Sequence, residues 1–434
     1  MNAPSMLSRL DLRAFAGNLR DVLSRDDAGA PDDDALRAVR EVIVEVRRRG
    51  DAALRDLTER FDGCRIEELR VPDADVRAAL DAVPSELRAS LEYAHRAITA
   101  YHEAQRSPPI ELEHDGVSIR ELVIPVDRAG CYVPGGRATY PSTVLMTAVP
   151  ARIAGVREVA LCVPPAPNGG VPDVTLAAAA LAGVDDVYRV GGAQAIAALA
   201  YGTDTIRPVD VVVGPGNRYV ALAKREVAGI VGIESLAGPS EVVVVADDTA
   251  RPELVAADLL AQAEHGPDGA AVLVTWSESL AASVDEWIGK LLGDAPRRAE
   301  IEQTLATGGR AVLVDGPEAA MEAVNVMAPE HLELMSDDPE ALVPRVRNAG
   351  AVFCGPWSPA VVGDYVAGVN HVLPTARTAR FASALRVDDF RKHVHVVRLD
   401  EAALRRVAPH VEALAAAEGL AEHARSVSLR EQRP

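Results

Sequence analysis

Aromatic residues are scarce, at 4% of a 434-residue chain, so the core must be built mainly from Ala, Val and Leu. Cysteine is nearly as rare. Cys64, Cys131, Cys162 and Cys354 stand far apart with no C-x-x-C spacing, which excludes a thiolate zinc knuckle and argues against a disulfide framework. Basic charge is outnumbered: 45 Lys and Arg against 64 Asp and Glu leave −19, which disfavours a surface that tracks nucleic-acid phosphates. No uncharged run is long enough to span a bilayer. The opening "MNAPSMLSRLDL" lacks a basic region followed by an apolar core, so no signal peptide is expected. Together these absences predict a cytoplasmic protein with neither membrane nor nucleic acid among its partners. The G-x-G-x-x-G loop that opens many dinucleotide-binding domains is missing as well.

What is present is an ordinary globular composition, 48% apolar and 25% charged, in a chain long enough for two or three domains. Residues 7–105 read as helical, with apolar residues at 3.6 spacing in stretches such as "DALRAVREVIVEVRRRGDAALRDLTERF". Seven β-rich runs then alternate with Ala-rich helical stretches: "REVALCVPP", "DDVYRVGG", "DVVVGPG", "EVVVVAD", "AAVLVTW", "RAVLVDG" and "GAVFCG". Continuous Val-rich strands separated by helices predict parallel sheets covered on both faces, here two βα modules rather than one. From about residue 385 the pattern turns short and mixed and ends in a polar tail.

Four Gly-containing strand ends follow one another: "YVPGGRATYPSTVLM", "YRVGGAQAIAALAYGT", "VVVGPGNRYV" and "AGPSEVVVVAD". Glycines at the carboxyl ends of parallel strands let a ligand approach the backbone. Tyr132, Ser142, Gln194, Asn217 and Ser240 stand beside them, which favours a ligand crevice over four ordinary turns. Nothing in the spacing names the ligand.

Two constellations carry chemistry. In "QAEHGPDGA", Gln262 and His265 would share one face of a helix that Gly266 and Pro267 end. They are either a polar helix terminus or part of a metal site, and Gln is a weak ligand that needs stronger partners. Asp364 and His371 in "GDYVAGVNHVLPT", and Glu418 and His423 in "EGLAEH", are candidates; two His, a carboxylate and an amide oxygen form an N/O set compatible with Zn²⁺. In "APEHLEL", Pro329 is expected at the first position of a helix, with Glu330 and His331 in its first turn. The positive helix end would then keep Glu330 ionised and His331 neutral, both as bases. Plain helix-start chemistry explains the same residues.

Several of these strings in order, "GPGN", "AGPSEV", "DLLAQAEHGPD", "APEHLE", "GDY-AG-NHVLPT" and "EGL-xx-H", resemble the histidinol dehydrogenase family from "LSRLDL" to "SVSLR". The resemblance implies a zinc-dependent, NAD-linked four-electron oxidation of L-histidinol to L-histidine through L-histidinaldehyde. Carried over by motif, it implies zinc ligands at Gln262, His265, Asp364 and His423, and an acid/base pair at Glu330 and His331. Substrate contacts would be Ser240, Gln262, His265, His331, Asp364, His371, Glu418 and His423, and NAD contacts Tyr132, Gln194 and Asn217. It further implies a homodimer in which one subunit's tail completes the other's site. The α/β chain is expected to divide into an N-terminal helical segment, 1–24; a discontinuous Rossmann-like domain, 25–131 and 242–384, bearing metal and catalytic residues; a second, 132–241, for NAD; and a small C-terminal domain or tail, 385–434. Two departures stand out: Ala360 occupies the place in "WSPAVVGDY" where the family is expected to have Glu, and the stretch between Asn217 and Ser240 is short. Competing readings are a related dehydrogenase of another polyol or amino-alcohol, a zinc hydrolase, and a non-catalytic nucleotide-binding protein.

Overall fold

The Val-rich runs form strands because β-branched side chains fit a pleated surface buried on both faces. The computed structural model describes residues 5–23, 33–135, 138–236, 238–266 and 268–431. A six-stranded parallel sheet runs in the order Ser8–Asp11, Gly309–Leu313, Ala270–Thr275, Glu241–Ala246, His331–Met335, Ala351–Cys354. The chain starts this sheet's middle at Glu241–Ala246, builds to one side, then returns to build the other, so His331–Met335 lies beside Glu241–Ala246 where the order reverses. A five-stranded parallel sheet runs Asp186–Tyr188, Glu158–Cys162, Arg128–Tyr132, Val211–Val213, Gly232–Ile233, with its reversal beside Arg128–Tyr132. Such reversals are where open α/β sheets form crevices.

The chain folds as two units, Met1–Gln105 with Asp127–Phe390, and Arg106–Val126 with Arg391–Pro434. The larger unit contains both parallel sheets. The smaller is an antiparallel sheet ordered Arg391–Leu399, Val117–Pro125, Glu111–His114, with helices Glu401–Ala417 and Ala421–Glu431. No helix among the described residues is long and apolar enough to cross a membrane.

Two parallel-sheet modules match the expectation; several boundaries do not. The segment 1–24 is not simply helical: Ser8–Asp11 is an edge strand paired with Gly309–Leu313, and only Leu19–Leu23 is a helix. Residues 1–4 and 24 lie outside the described residues. The helices Asp33–Arg49 and Asp51–Asp62 bury Val39, Val42, Leu54 and Leu57 in one cluster with Ala160, Leu199 and Val212, so they cover the five-stranded sheet rather than the six-stranded one. Residues 106–126 join the C-terminal unit because Val117–Pro125 pairs residue by residue with Arg391–Leu399. Pairing across such a separation leaves no local trace in sequence. The mixed tail expected from 385 is a nine-residue strand and two helices, and 385–390 belongs to the larger unit.

Candidate active site

Glu330 and His331 do not open a helix. The helix before them, Pro317–Met327, ends in a left-handed cap at Ala328 (φ 49°), and His331 is the first residue of the buried strand His331–Met335. The run "HLELM" enters the middle of a parallel sheet, where burial on both faces outweighs the Pro-acid helix signal. Its pairing of His331 with Val242 sets the site at the amino ends of these strands. The Gly238–Pro239–Ser240 turn likewise precedes its strand, Glu241–Ala246, instead of following one as expected; Ala237 lies outside the described residues.

The consequence is electrostatic. Glu330 Oε2 accepts from the Ser240 hydroxyl at 2.5 Å and from the Glu241 N–H at 2.9 Å. His331 Nδ1 lies 3.2 Å from the Glu241 carbonyl, which can only accept, so Nδ1 carries the proton of this bond. Nε2 then faces Asp364 Oδ1 at 3.6 Å. Burial pushes the Glu330 carboxyl above its ordinary range, partly offset by His331 and by the Ser240 hydrogen bond. For His331, burial opposes protonation, but Glu330 and Asp364 outweigh it and raise the imidazole to about 9. Burial likewise disfavours an ionised Asp364, yet the hydrogen bond and charge of His331 hold that carboxyl below its usual range. The expected helix start is absent, so no positive helix end acts on the pair; Glu330 and Asp364 instead favour the protonated imidazole.

Gln262 sits in the last turn of the helix Pro252–Ala263, and His265 lies just past its end, its N–H donating to the Gln262 carbonyl at 3.2 Å. Gly266 follows at φ 144°; Pro267, expected to stop the helix, lies outside the described residues. The exposed His265 ring sits with Nδ1 3.2 Å from the Ala261 carbonyl, which fixes the tautomer and leaves the Nε2 lone pair open to a ligand. Gln262 is buried, with an amide nitrogen that finds no partner. Asp364 lies in the short helix Ala360–Tyr365. His371 is held at both nitrogens, Nδ1 by the Asp364 carbonyl at 2.9 Å and Nε2 by the Thr143 hydroxyl at 3.1 Å. Burial keeps His371 below its ordinary value.

Glu418 and His423 belong to the smaller unit: Glu418 caps the helix Glu401–Ala417, His423 lies in the first turn of the helix Ala421–Glu431, and both are exposed. Among the described residues no group of three or more His, Cys, Asp or Glu is placed to hold a metal ion. Gln262 and His265 bring an amide and an imidazole to one helix end, and Asp364 brings a carboxylate on another element, donor types that zinc accepts.

Tyr132, Gln194 and Asn217 line one cavity of about 1260 Å³ at the carboxyl side of the five-stranded sheet. The Tyr132 hydroxyl accepts from the Gly192 N–H at 3.0 Å, at the start of the helix Gly192–Tyr201. Gln194 is 1% exposed and its Nε2 is unpartnered, a donor in want of an acceptor. Asn217 is an N-cap: its Oδ1 accepts from the N–H groups of Tyr219 and Val220, which leaves its amide N–H₂ for a ligand. In the loop "VPGGRAT", Gly136 and Arg137 lie outside the described residues. Tyr140 is at the cavity rim, Thr143 sits one turn into the helix Pro141–Ala154, and Thr143 bonds His371, which bonds the Asp364 backbone.

Sequence reasoning missed Thr143, the buried pair Lys224–Glu234, and the carboxyls of Asp258 and Glu333. Asp258 stands one helical turn before Gln262, a spacing that could have drawn attention to it. Ala360 is the first residue of the helix bearing Asp364; an acid there would meet the positive helix end, but the methyl keeps only the backbone N–H.

The histidinol dehydrogenase family model matches residues 26–431. The chain is 53% identical to a histidinol dehydrogenase of Synechococcus sp. over 399 residues, covering 91% of this chain and 92% of that one. It is 51% identical to that of Parasynechococcus marenigrum, over 99% of this chain and 95% of the other. Its fold matches the crystal structure of histidinol dehydrogenase from Elizabethkingia anophelis with a TM-score of 0.94 at 34% identity, covering 99% of both chains. The chain thus belongs to the histidinol dehydrogenase family of NAD-dependent oxidoreductases.

Proposed function

We propose that this site oxidises L-histidinol to L-histidine by way of L-histidinaldehyde, in two successive NAD-linked steps at one place. The observation that carries the reading is the buried Glu330–His331 pair facing Asp364. His331 Nε2 is the base for the alcohol proton and again for the hydrated aldehyde. Its Nδ1 is held by the Glu241 carbonyl, which leaves Nε2 as the atom turned toward the site. Glu330, positioned by Ser240 and Glu241, draws the proton from the water that attacks the aldehyde.

Gln262, His265 and Asp364 would hold zinc together with His423 of the partner subunit. Zinc, when bound, supplies a Lewis acid suited to the imidazole and amine of the substrate. NAD, when bound beside Tyr132, Gln194 and Asn217, takes up two electrons per step. A homodimer with shared sites is what this reading implies, with Glu418 and His423 exposed on the smaller unit. The four free cysteines, three of them buried, suit a reducing cytoplasm.

Two NADH should form per histidine in a coupled absorbance assay; one NADH with accumulating aldehyde rejects the four-electron reading. Mixing inactive His265 and His423 variants should restore part of the activity, and verified heterodimers that stay inactive reject the shared site.

A further inference from the structure

We propose that Asn370 is a positioning residue for histidinol: its side-chain amide docks the segment bearing His371 onto the helix Pro141–Ala154, at a backbone carbonyl that Pro150 leaves without its helical donor. The inference rests on the reading of His371 as a substrate contact.

A proline inside a helix has no N–H for the carbonyl four residues before it. Pro150 lies inside Pro141–Ala154, so the carbonyl it deprives is that of Met146, a residue 0% exposed. A buried carbonyl needs a partner from elsewhere. Asn370 Nδ2 supplies one at 2.7 Å, from 224 residues along the chain.

The amide has only one orientation open to it. Asn370 is buried, its Oδ1 accepts from the Val372 N–H at 2.9 Å, and its Nδ2 also lies 3.3 Å from His102 Nε2. His102 Nδ1 is 2.8 Å from the Ile98 carbonyl, which can only accept, so Nδ1 carries the proton. Burial holds this imidazole below its ordinary value and so neutral, which leaves Nε2 to accept the second amide hydrogen. Asn370 thereby ties its own segment to two helices, Ser85–Ala104 and Pro141–Ala154. The backbone of that segment is tight as well. Gly368 has φ 90°, and a Cβ there would lie 2.6 Å from the Ala97 carbonyl of Ser85–Ala104.

His371 takes its place from this anchor. Thr143 precedes Met146 by three residues, so within one turn the helix offers a carbonyl to Asn370 and a hydroxyl to His371. His371 Nδ1 donates to the Asp364 carbonyl at 2.9 Å, and Nε2 therefore accepts from the Thr143 hydroxyl at 3.1 Å. A side chain that merely filled the space at 370 would leave the Met146 carbonyl unpaired. It would also remove the tie that keeps the imidazole opposite Thr143.

The test uses the full-length enzyme, with initial rates at varied histidinol and at varied NAD, and Tm by circular dichroism. Asn370→Leu should raise the KM for histidinol about tenfold, the size of one hydrogen bond to substrate lost, and leave the KM for NAD within about twofold. Pro150→Ala, added to it, returns an N–H to the Met146 carbonyl, so the double variant should recover Tm but keep the raised KM for histidinol. The same double variant serves if Asn370→Leu alone fails to fold. Recovery of KM together with Tm overturns the proposal, since Asn370 would then do no more than satisfy a carbonyl. An unchanged KM for histidinol in a folded variant, or an equal rise for NAD, overturns it too. His371→Ala is the control for the premise. An unchanged KM for histidinol there overturns the substrate-contact reading and this inference with it, whereas a raised KM there beside an unchanged one in Asn370→Leu overturns this inference alone.

Discussion

Lys224 and Glu234 offer the sharpest test of how the cavity proposed for NAD is held. Their side chains are 1% and 2% exposed and meet at 2.7 Å. Lys224 Nζ also donates to the Gly214 carbonyl at 3.2 Å, while Glu234 Oε1 accepts from the Gly214 N–H at 2.8 Å. The pair therefore grips both backbone groups of the residue where the strand Val211–Val213 turns toward Asn217. Gly214 has φ 120°, and a Cβ there would lie 2.0 Å from the Tyr132 carbonyl, so this backbone has no slack of its own. Lys224→Met keeps volume but strands a buried carboxylate, which costs about 3–5 kcal/mol. With an unfolding entropy of about 0.8 kcal/mol/K for a unit of this size, that lowers Tm by about 4–6 °C. The double variant Lys224→Met, Glu234→Leu removes the stranded charge and should regain part of the loss. It still leaves Gly214 without partners, so the KM for NAD should stay raised about tenfold, equivalent to about 1.4 kcal/mol, with the KM for histidinol unchanged. Calorimetry and initial rates at varied NAD decide it. A double variant that recovers both Tm and NAD affinity would show that the pair only stabilises, and the positioning argument would be wrong.

Glu330→Gln should slow oxidation of added L-histidinaldehyde far more than that of the alcohol, by at least tenfold in the ratio of single-turnover rates; equal losses remove its role with water. Asp62 lines the same cavity with one carboxyl oxygen unpartnered, and burial raises it to about 6. Its native state then binds more protons than the unfolded chain between about pH 4 and 6, so stability is lost as pH rises through that window. Asp62→Asn should accordingly melt higher than the unaltered chain at pH 7 and match it at pH 3.5; a stabilisation that persists at pH 3.5 would rule out burial of charge as the cause.

The parallel-sheet architecture was legible because its strands are Val-rich runs buried on both faces, a pattern that needs no distant partner to recognise. That Tyr132, Gln194 and Asn217 stand at one crevice was legible for a related reason: glycines punctuate the carboxyl ends of the short strands beside them. What stayed hidden depends on pairing at a distance. Ser8–Asp11 is a strand only because Gly309–Leu313 accepts it, and Val117–Pro125 only because Arg391–Leu399 does. The cap role of Asn217, by contrast, follows from its place before "RYVALAKREV" and was open to local reasoning.

His331 shows how a misread element alters chemistry as well as topology. A helix start would have bathed the pair in positive potential and favoured two unprotonated bases. A central strand supplies no such field. The protein instead controls the pair with discrete neighbours: a hydroxyl and an N–H on Glu330, a carbonyl on one edge of His331 and the Asp364 carboxylate on the other. Control by Asp364 is conditional in a way a helix end is not, since that carboxylate is also a candidate ligand and its hold on the imidazole changes with what it binds.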